Sequence, residues 1–259
     1  MPKVVRIWLY PIKSLDGMRV PFAPILRSGA LQGDRRWALF GEDEKILNAK
    51  RSADFHTLRA TFQLGSVEVD LRSDKSGETL TADLSTNWQG PLSFFCRHFE
   101  QEVHIRENLA VGFPDDLDSP GPTVVSLGSI RRVAEWFSIT EDEVRRRFRA
   151  NIEIDAEEPF WEDCLHAPGK AKRAFRIGEA HFWGINCCQR CVVPTRDSQT
   201  GVTMSGFQKQ FADRRAAELA STTPPEHFDH FYRYSVNTQI DPASRAWRIG
   251  VGDELILGE

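Results

Sequence analysis

Apolar and polar positions alternate in short runs along the first hundred residues. Val4 to Tyr10 alternates apolar with mixed positions, Arg36 to Phe40 is apolar and aromatic, Ser66 to Leu71 alternates strictly, and Gln101 to Arg106 does nearly so. Such runs, separated by turn-rich segments, predict short strands of a barrel or sandwich. One helix is expected at Pro91 to Glu100, where Leu92, Phe95, Cys96 and Phe99 recur at helical spacing. Between Val111 and Pro122 three prolines and three acidic residues mark a linker or exposed crossing. We place a boundary there, giving domains 1–112 and 113–259.

Downstream, Ile130, Val133, Ala134 and Phe137 follow the i, i+3, i+4, i+7 pattern of an amphipathic helix. A second helix opens with the capping box Thr140-Glu-Asp-Glu143, stapled by Ile139 and Val144, and carries Arg145, Arg146 and Arg147 in its later turns. Strands are predicted at Asn151–Ile154, Arg173–Ile177, His181–Ile185 and Glu254–Leu257, and a further helix at Phe207–Ala220. The fold class is therefore mainly β with a few helices (α+β), without an internal repeat.

Composition narrows the function classes. At 41% hydrophobic and 27% charged residues the chain is an ordinary globular one, and a net charge of −4 lacks the footprint of a general nucleic-acid binder. Any basic site must be local. No run of about 18 apolar residues and no signal-like start occurs, so the expectation is a cytoplasmic protein with neither a membrane nor a nucleic-acid partner. Five cysteines are too few for a disulfide framework, and Cys164, Cys187, Cys188 and Cys191 fall in one stretch. That clustering points to chemistry.

Four segments carry candidate chemistry. In Tyr10-Pro-Ile-Lys-Ser14 a strand ends in a turn that offers a cation and a hydroxyl side by side, which suits a phosphate and equally a solvated turn. In Gly33-Asp-Arg-Arg-Trp37 two adjacent arginines point to opposite faces if the segment is extended, one of them able to turn inward. In Arg147-Phe-Arg-Ala-Asn-Ile152 alternation puts Arg147, Arg149 and Asn151 on one face, a grip for an anionic ring-containing ligand or an exposed sheet face. The fourth is Cys187-Cys-Gln-Arg-Cys191. Its C-x-x-C lacks the second pair that structural zinc needs, and Val192-Val-Pro194 reads as strand rather than as the helix start of a redox pair. Arg190 can depress a neighbouring thiol pKa, as a nucleophile or soft-metal ligand requires, and buried inert cysteines are the alternative. The pair His227 and His230 reads as a metal cluster or a polar loop. Signatures of P-loop, Rossmann, zincin and α/β-hydrolase proteins are missing.

In this order, Tyr10-Pro-Ile-Lys-Ser14, Gly33-Asp-Arg-Arg-Trp37, Arg147-Phe-Arg-Ala-Asn-Ile152, Cys188-Gln-Arg-Cys191 with Asp197 and Gly201, and Ile249-Gly-Val-Gly-Asp253 resemble the MOSC family preceded by its N-terminal β-barrel domain. The likeness is to the YcbX-like proteins and the mitochondrial amidoxime-reducing component. It implies an N-terminal β-barrel-like domain and a MOSC β-barrel domain, with a molybdopterin-type molybdenum cofactor between them. By this resemblance Lys13, Ser14 and Arg35 grip the cofactor phosphate. Arg147, Arg149 and Asn151 contact the pterin, and Arg190 and Thr195 lie near the metal end. The resemblance also implies reduction of small N-hydroxylated or N-oxygenated compounds, with electrons from a separate flavin or iron–sulfur partner. A carrier or sulfur-transfer role through a cysteine persulfide is the alternative. There is no room for a pyridoxal-phosphate domain. Some relatives carry a metal-ligating cysteine where this chain reads Phe211-Ala-Asp-Arg-Arg-Ala-Ala217; here either Cys191 or Cys188 stands in as ligand and catalytic thiol, or a non-protein ligand completes the coordination.

Overall fold

The computed structural model describes residues 1–259 apart from 65–66, 170, 220–222, 224, 245–246 and 259. The strand start expected at Ser66 and the helix end expected at Ala220 lie outside the described residues. In the first half the elements are β1 (Val4–Leu9), β2 (Met18–Val20), β3 (Phe22–Pro24), β4 (Trp37–Gly41), β5 (Ile46–Leu47), β6 (Leu58–Phe62), β7 (Glu68–Ser73), β8 (Thr79–Asp83), α1 (Gln89–Phe99) and β9 (Val103–Glu107). In the second they are β10 (Val124–Ser126), α2 (Leu127–Phe137), α3 (Glu141–Phe148), β11 (Ile152–Ile154), β12 (Arg173–Ile177), β13 (Ala180–Gln189), α4 (Phe207–Ala217), β14 (Arg233–Ile240), β15 (Arg248–Gly250) and β16 (Leu255–Leu257). The protein is mainly β with four α-helices among the described residues, the class that the patterning predicts.

Two three-stranded sheets, β5-β4-β9 and β6-β7-β8, enclose a core of Leu39, Phe55, Leu71, Phe94 and Phe95 among others. The strict alternation of β7 buries Val69, Leu71 and Ser73 and exposes Asp70 and Arg72. The larger sheet has eight strands in the order β16-β12-β13-β14-β10-β11-β1-β2, and it spans both sides of residue 112. β1 pairs antiparallel with β11, bringing Ile7 opposite Ile152, and β3 pairs with β15. β10 and β11 run parallel, and α2 and α3 supply the crossover that parallel neighbours require. That crossover delivers the end of α3 beside the end of β1.

Helix α3 starts as expected, with Thr140 Oγ1 accepting from the Glu143 N–H at 3.1 Å. The reciprocal half of the capping box does not form. Glu143 instead accepts from Arg147 Nε and from the Ser198 N–H at 2.8 Å, because a buried carboxylate gains more from a cation and a fixed amide than from its own helix start. The helix runs through Phe148, so Arg147 lies on its last turn rather than on a strand, correcting the alternation reading of 147–152. The segment Val192–Pro194 is also not a strand: β13 stops at Gln189 and Val193–Thr195 forms a 3-10 turn, where Pro194 removes the N–H a ladder would need. No helix among the described residues is long and apolar enough to cross a membrane.

Candidate functional site

A cavity, partly open to solvent, lies where the two halves meet. Lys13, Ser14 and Arg35 line it from the first half; Arg147, Arg149, Asn151, Cys188, Arg190 and Cys191 line it from the second. Nine of the ten residues singled out as cofactor or thiol positions thus meet in one space. The exception is Thr195, which is buried behind the wall and donates its hydroxyl to the Val192 carbonyl at 2.7 Å. Its position supports the turn after Cys191 instead of the cavity surface. Eight Lys and Arg side chains face four aspartates in the lining, so the basic site that a chain of net charge −4 must keep local is here.

Three of the lining residues hold left-handed backbone conformations without being glycine: Ser14 (φ 73°), Arg35 (φ 48°) and Arg149 (φ 56°). Each such residue costs on the order of 1 kcal/mol, and they persist where surrounding structure over-determines them. Ser14 sits in the turn after Ile12, its Oγ accepting from the Ala49 N–H at 3.1 Å. Arg35 is held by its N–H to the Tyr10 carbonyl at 2.8 Å and by an ion pair with Asp34. Arg149 caps α3, donating its N–H to the Arg145 carbonyl at 2.9 Å. Both guanidiniums lie over the Tyr10 ring, Arg35 at 5.2 Å and Arg149 at 4.1 Å from its centre. The left-handed turn at Arg35, rather than strand alternation, sends it inward, while Arg36 turns out to Glu107 and over Trp37.

The segment 111–122, expected as a linker, is a wall of the cavity. Gly112 (φ 71°) lets it cross close above Asp34, whose carbonyl would lie 2.6 Å from any Cβ there. The next residues present the Phe113 carbonyl and the Asp115 carboxylate to Lys13 Nζ at 2.8 and 2.7 Å. Burial pulls the Lys13 ammonium below its ordinary pKa, and Asp115 partly restores it. Burial raises the Asp115 carboxyl, but Lys13, Lys50 and Arg35 more than offset that and hold it well below the usual carboxylate range.

The opposite wall is differently provisioned. Arg149 Nη2 and Arg190 Nε are buried without a hydrogen-bond partner among the described residues. Arg190 donates through Nη1 to Cys188 Sγ at 3.2 Å and through Nη2 to the Phe148 carbonyl. Arg147 and Asn151, by contrast, are committed: Arg147 to Glu143, and Asn151 through Nδ2 to the Trp8 carbonyl at 3.1 Å and through Oδ1 to the Thr123 N–H at 3.3 Å. Cys187 points away from this wall into the core, and burial pushes its thiol well above the ordinary range. Burial also pushes the Cys164 thiol up to about 12. Among the described residues no group of three or more His, Cys, Asp or Glu side chains is placed to hold a metal ion. His230 Nδ1 accepts from the Tyr232 N–H at 3.2 Å, and the side chain of His227 lies outside the described residues.

Residues 211–217, where some relatives are expected to carry a ligating cysteine, do not line the cavity. They belong to α4, whose Phe211 packs in the helical core and whose Arg215 pairs with Asp163 between the Phe160 and Phe228 rings. The thiols that do reach the cavity are Cys188 and Cys191. Sequence reasoning missed His56, Lys50 and Asp115. His56 lines the cavity with its Nε2 buried and without a partner among the described residues; burial, then Arg196, Arg59 and Arg149, push its pKa down to about 4. A lone histidine between Phe55 and Thr57 carries no periodic signal, whereas the acidic run 115–118 inside a set of cationic motifs was a usable clue to Asp115.

Residues 1–107 match the model of the MOSC N-terminal beta barrel domain. The chain carries a MOSC N-terminal beta barrel domain. Over more of its length the chain is similar to curated relatives. It is 23% identical to a molybdenum cofactor sulfurase of Arabidopsis thaliana across 96% of this chain and 34% of the relative. It is 24% identical to the sulfurase of Drosophila grimshawi across 77% and 29%. It is also 24% identical to mitochondrial amidoxime-reducing component 1 of Homo sapiens across 77% and 67%. The chain spans about a third of the length of the sulfurases it matches.

Proposed function

We propose that this MOSC protein holds a molybdopterin-type molybdenum cofactor in the cavity and is an oxidoreductase that reduces small N-hydroxylated or N-oxygenated compounds, with electrons from a separate flavin or iron–sulfur partner. The observation that carries the reading is the convergence of Lys13, Arg35, Arg149 and Arg190 from both halves on one space, beside Cys188 and Cys191. The donor set fits the group: two buried guanidinium nitrogens and the His56 Nε2 await a polar ligand, and cations outnumber carboxylates two to one in the lining. The relatives named for the molybdenum cofactor and for amidoxime reduction point the same way.

In this reading Lys13, Ser14 and Arg35 bind the phosphate. Lys13 has one N–H beyond those given to Phe113 and Asp115, and Ser14 has its hydroxyl proton to donate. Arg149 and Arg190 meet the ring system, with Arg147, Asn151 and, through its turn, Thr195 holding the wall in place. Cys191 is the metal ligand and Cys188, beside Arg190, its thiol neighbour. When bound, the cofactor supplies a metal that exchanges electrons and an oxygen atom. The buried arginines keep the space cationic and exclude water from the polar edges they bind.

A second reading is a cofactor carrier or sulfur-transfer protein that uses a persulfide on Cys188 or Cys191. The Arg190 contact to Cys188 Sγ favours it, since a guanidinium stabilises a sulfur anion. Assay of a hydroxylamine-type substrate with a supplied electron donor decides between them. Turnover that is lost in Cys191→Ala supports the reductase. A persulfide trapped on either thiol without turnover overturns it in favour of the carrier.

A further inference from the structure

A second cavity lies on the far side of Arg149. It is an open groove, and it shares Asp16, Arg59, Arg146 and Arg149 with the cofactor cavity. Its floor is the solvent face of β1 and β2. Trp8 and Arg19 stand directly opposite one another in that antiparallel pair, so their side chains share a face, while Ile7 turns to the core. One wall is α3 with Arg145 and Arg146, and the other is the start of β6 with Arg59 and Ala60.

The floor is fixed from below by one buried carboxylate. Glu153 of β11, 1% exposed, accepts from Trp8 Nε1 at 2.6 Å, from Arg6 Nη1 at 2.9 Å and from Arg145 Nε at 3.0 Å. Burying a carboxylate is costly, and here it locks an indole and two guanidiniums in place around a solvent-filled groove. The walls differ in how far their charges are used. Arg59 pairs with Asp16 and Asp74, and Arg146 with Glu143. Arg19 is exposed and makes no ion pair among the described residues. The result is a half-buried aromatic plane with an uncommitted guanidinium at its edge and further guanidiniums around it.

We infer that this groove is a separate binding site for a phosphate monoester carrying a flat aromatic ring, in the simplest case a nucleoside monophosphate. The ring stacks on Trp8, and the phosphate is taken by Arg19 together with the donors of Arg6 and Arg146 left over from their carboxylate partners. An indole without cations would accept any apolar ring, and arginines without the indole any anion. Their opposition across β1 and β2 selects a molecule that is both. Of the residues assigned to it only Arg146 also lines the first cavity, and Trp8, Arg6 and Arg19 do not, so the site stands apart from the molybdenum reading.

The test is calorimetric titration of the purified full chain with AMP, ribose 5-phosphate and inorganic phosphate. One AMP per chain is expected, bound at least tenfold more tightly than ribose 5-phosphate. Trp8→Leu should remove that tenfold preference, and Arg19→Ala, at an exposed site that does not endanger folding, should weaken AMP at least fivefold. Lys13→Ala should leave AMP binding within twofold. Equal affinities for AMP and ribose 5-phosphate, no effect of Arg19→Ala, or loss of AMP binding in Lys13→Ala would overturn the proposal, the last by placing the nucleotide in the first cavity.

Discussion

The two walls of the cavity solve the same electrostatic problem in opposite ways. On the wall from the first half, each cation already has a carboxylate: Arg35 has Asp34, and Lys13 has Asp115. On the wall from the second half, Arg149 and Arg190 keep buried nitrogens without partners among the described residues. An anion reaching the first wall must exchange with a resident carboxylate, so the net gain is a difference between two ion pairs. An anion or polar ring edge reaching the second wall satisfies donors whose desolvation has already been met by folding, so more of the interaction appears as affinity. Specific retention should therefore depend more on the second wall than on the first.

The largest expected effect comes from removing one cation on each wall. Losing a charge-assisted hydrogen bond costs about 2 kcal/mol, or roughly 30-fold, and sites with separate partners add. Lys13→Ala with Arg149→Ala should therefore weaken cofactor retention about 1000-fold, with Arg149→Ala alone exceeding Lys13→Ala alone. The reverse order in an equilibrium-binding measurement would break the comparison. Arg149→Gly should lose the same affinity while relieving the left-handed backbone.

Next in size is a pH effect. The pKa of His56 is lowered in the fold to about 4 from 6.5. A depressed histidine pKa means the unfolded chain takes up the proton first. Its neutral form thus contributes fully above about pH 6.5, and the contribution is lost as pH falls towards 4. His56→Gln should flatten the decline in unfolding free energy over that window by at most about 3 kcal/mol, read from denaturant titrations at pH 7 and pH 4.5. An unchanged slope would show that burial and the cationic surroundings do not act on this ring.

Two smaller effects sharpen the contrast. Arg190→Ala should weaken cofactor retention about 10-fold in the same equilibrium-binding measurement, because the guanidinium that reaches the cavity beside Cys188 Sγ is gone. Asp115→Asn should do the opposite of every other change. It leaves an acceptor for Lys13 but removes the competing charge, so anion affinity should rise about threefold, roughly 0.7 kcal/mol, at some loss of stability in the empty protein.

How much of this was legible depends on what each residue's signal was. The alternation of β7 and the cap at Thr140 are local rules, and the structure follows them. β14 was missed because it is buried on nearly every position while carrying Ser235, Asn237 and Thr238, so neither alternation nor an apolar run marks it. The three-residue strands β2, β3, β10 and β15 are too short for any period to register. For the site, the residue types pointed to side chains that line one cavity, but the geometry expected of them was wrong at Arg35 and Arg147. A left-handed turn and a helix end bring them to the cavity, where strand faces were expected. The composition break at 111–122 is present in the sequence, yet the main sheet runs across it through β1, β2 and β11. Strand pairing over such separations leaves no local trace. The neutral His56 and the resident Asp115 follow from that long-range assembly and could not be assigned beforehand.

The central claim is tested most directly by the molybdenum content of full-length protein purified from a host that makes the cofactor, with mass spectrometry of the ligand released from it. Close to one molybdenum and one pterin per chain are expected in the wild type, and neither in the Lys13→Ala, Arg149→Ala protein at equal folding stability. Wild-type protein free of molybdenum and pterin that cannot be reconstituted would contradict it.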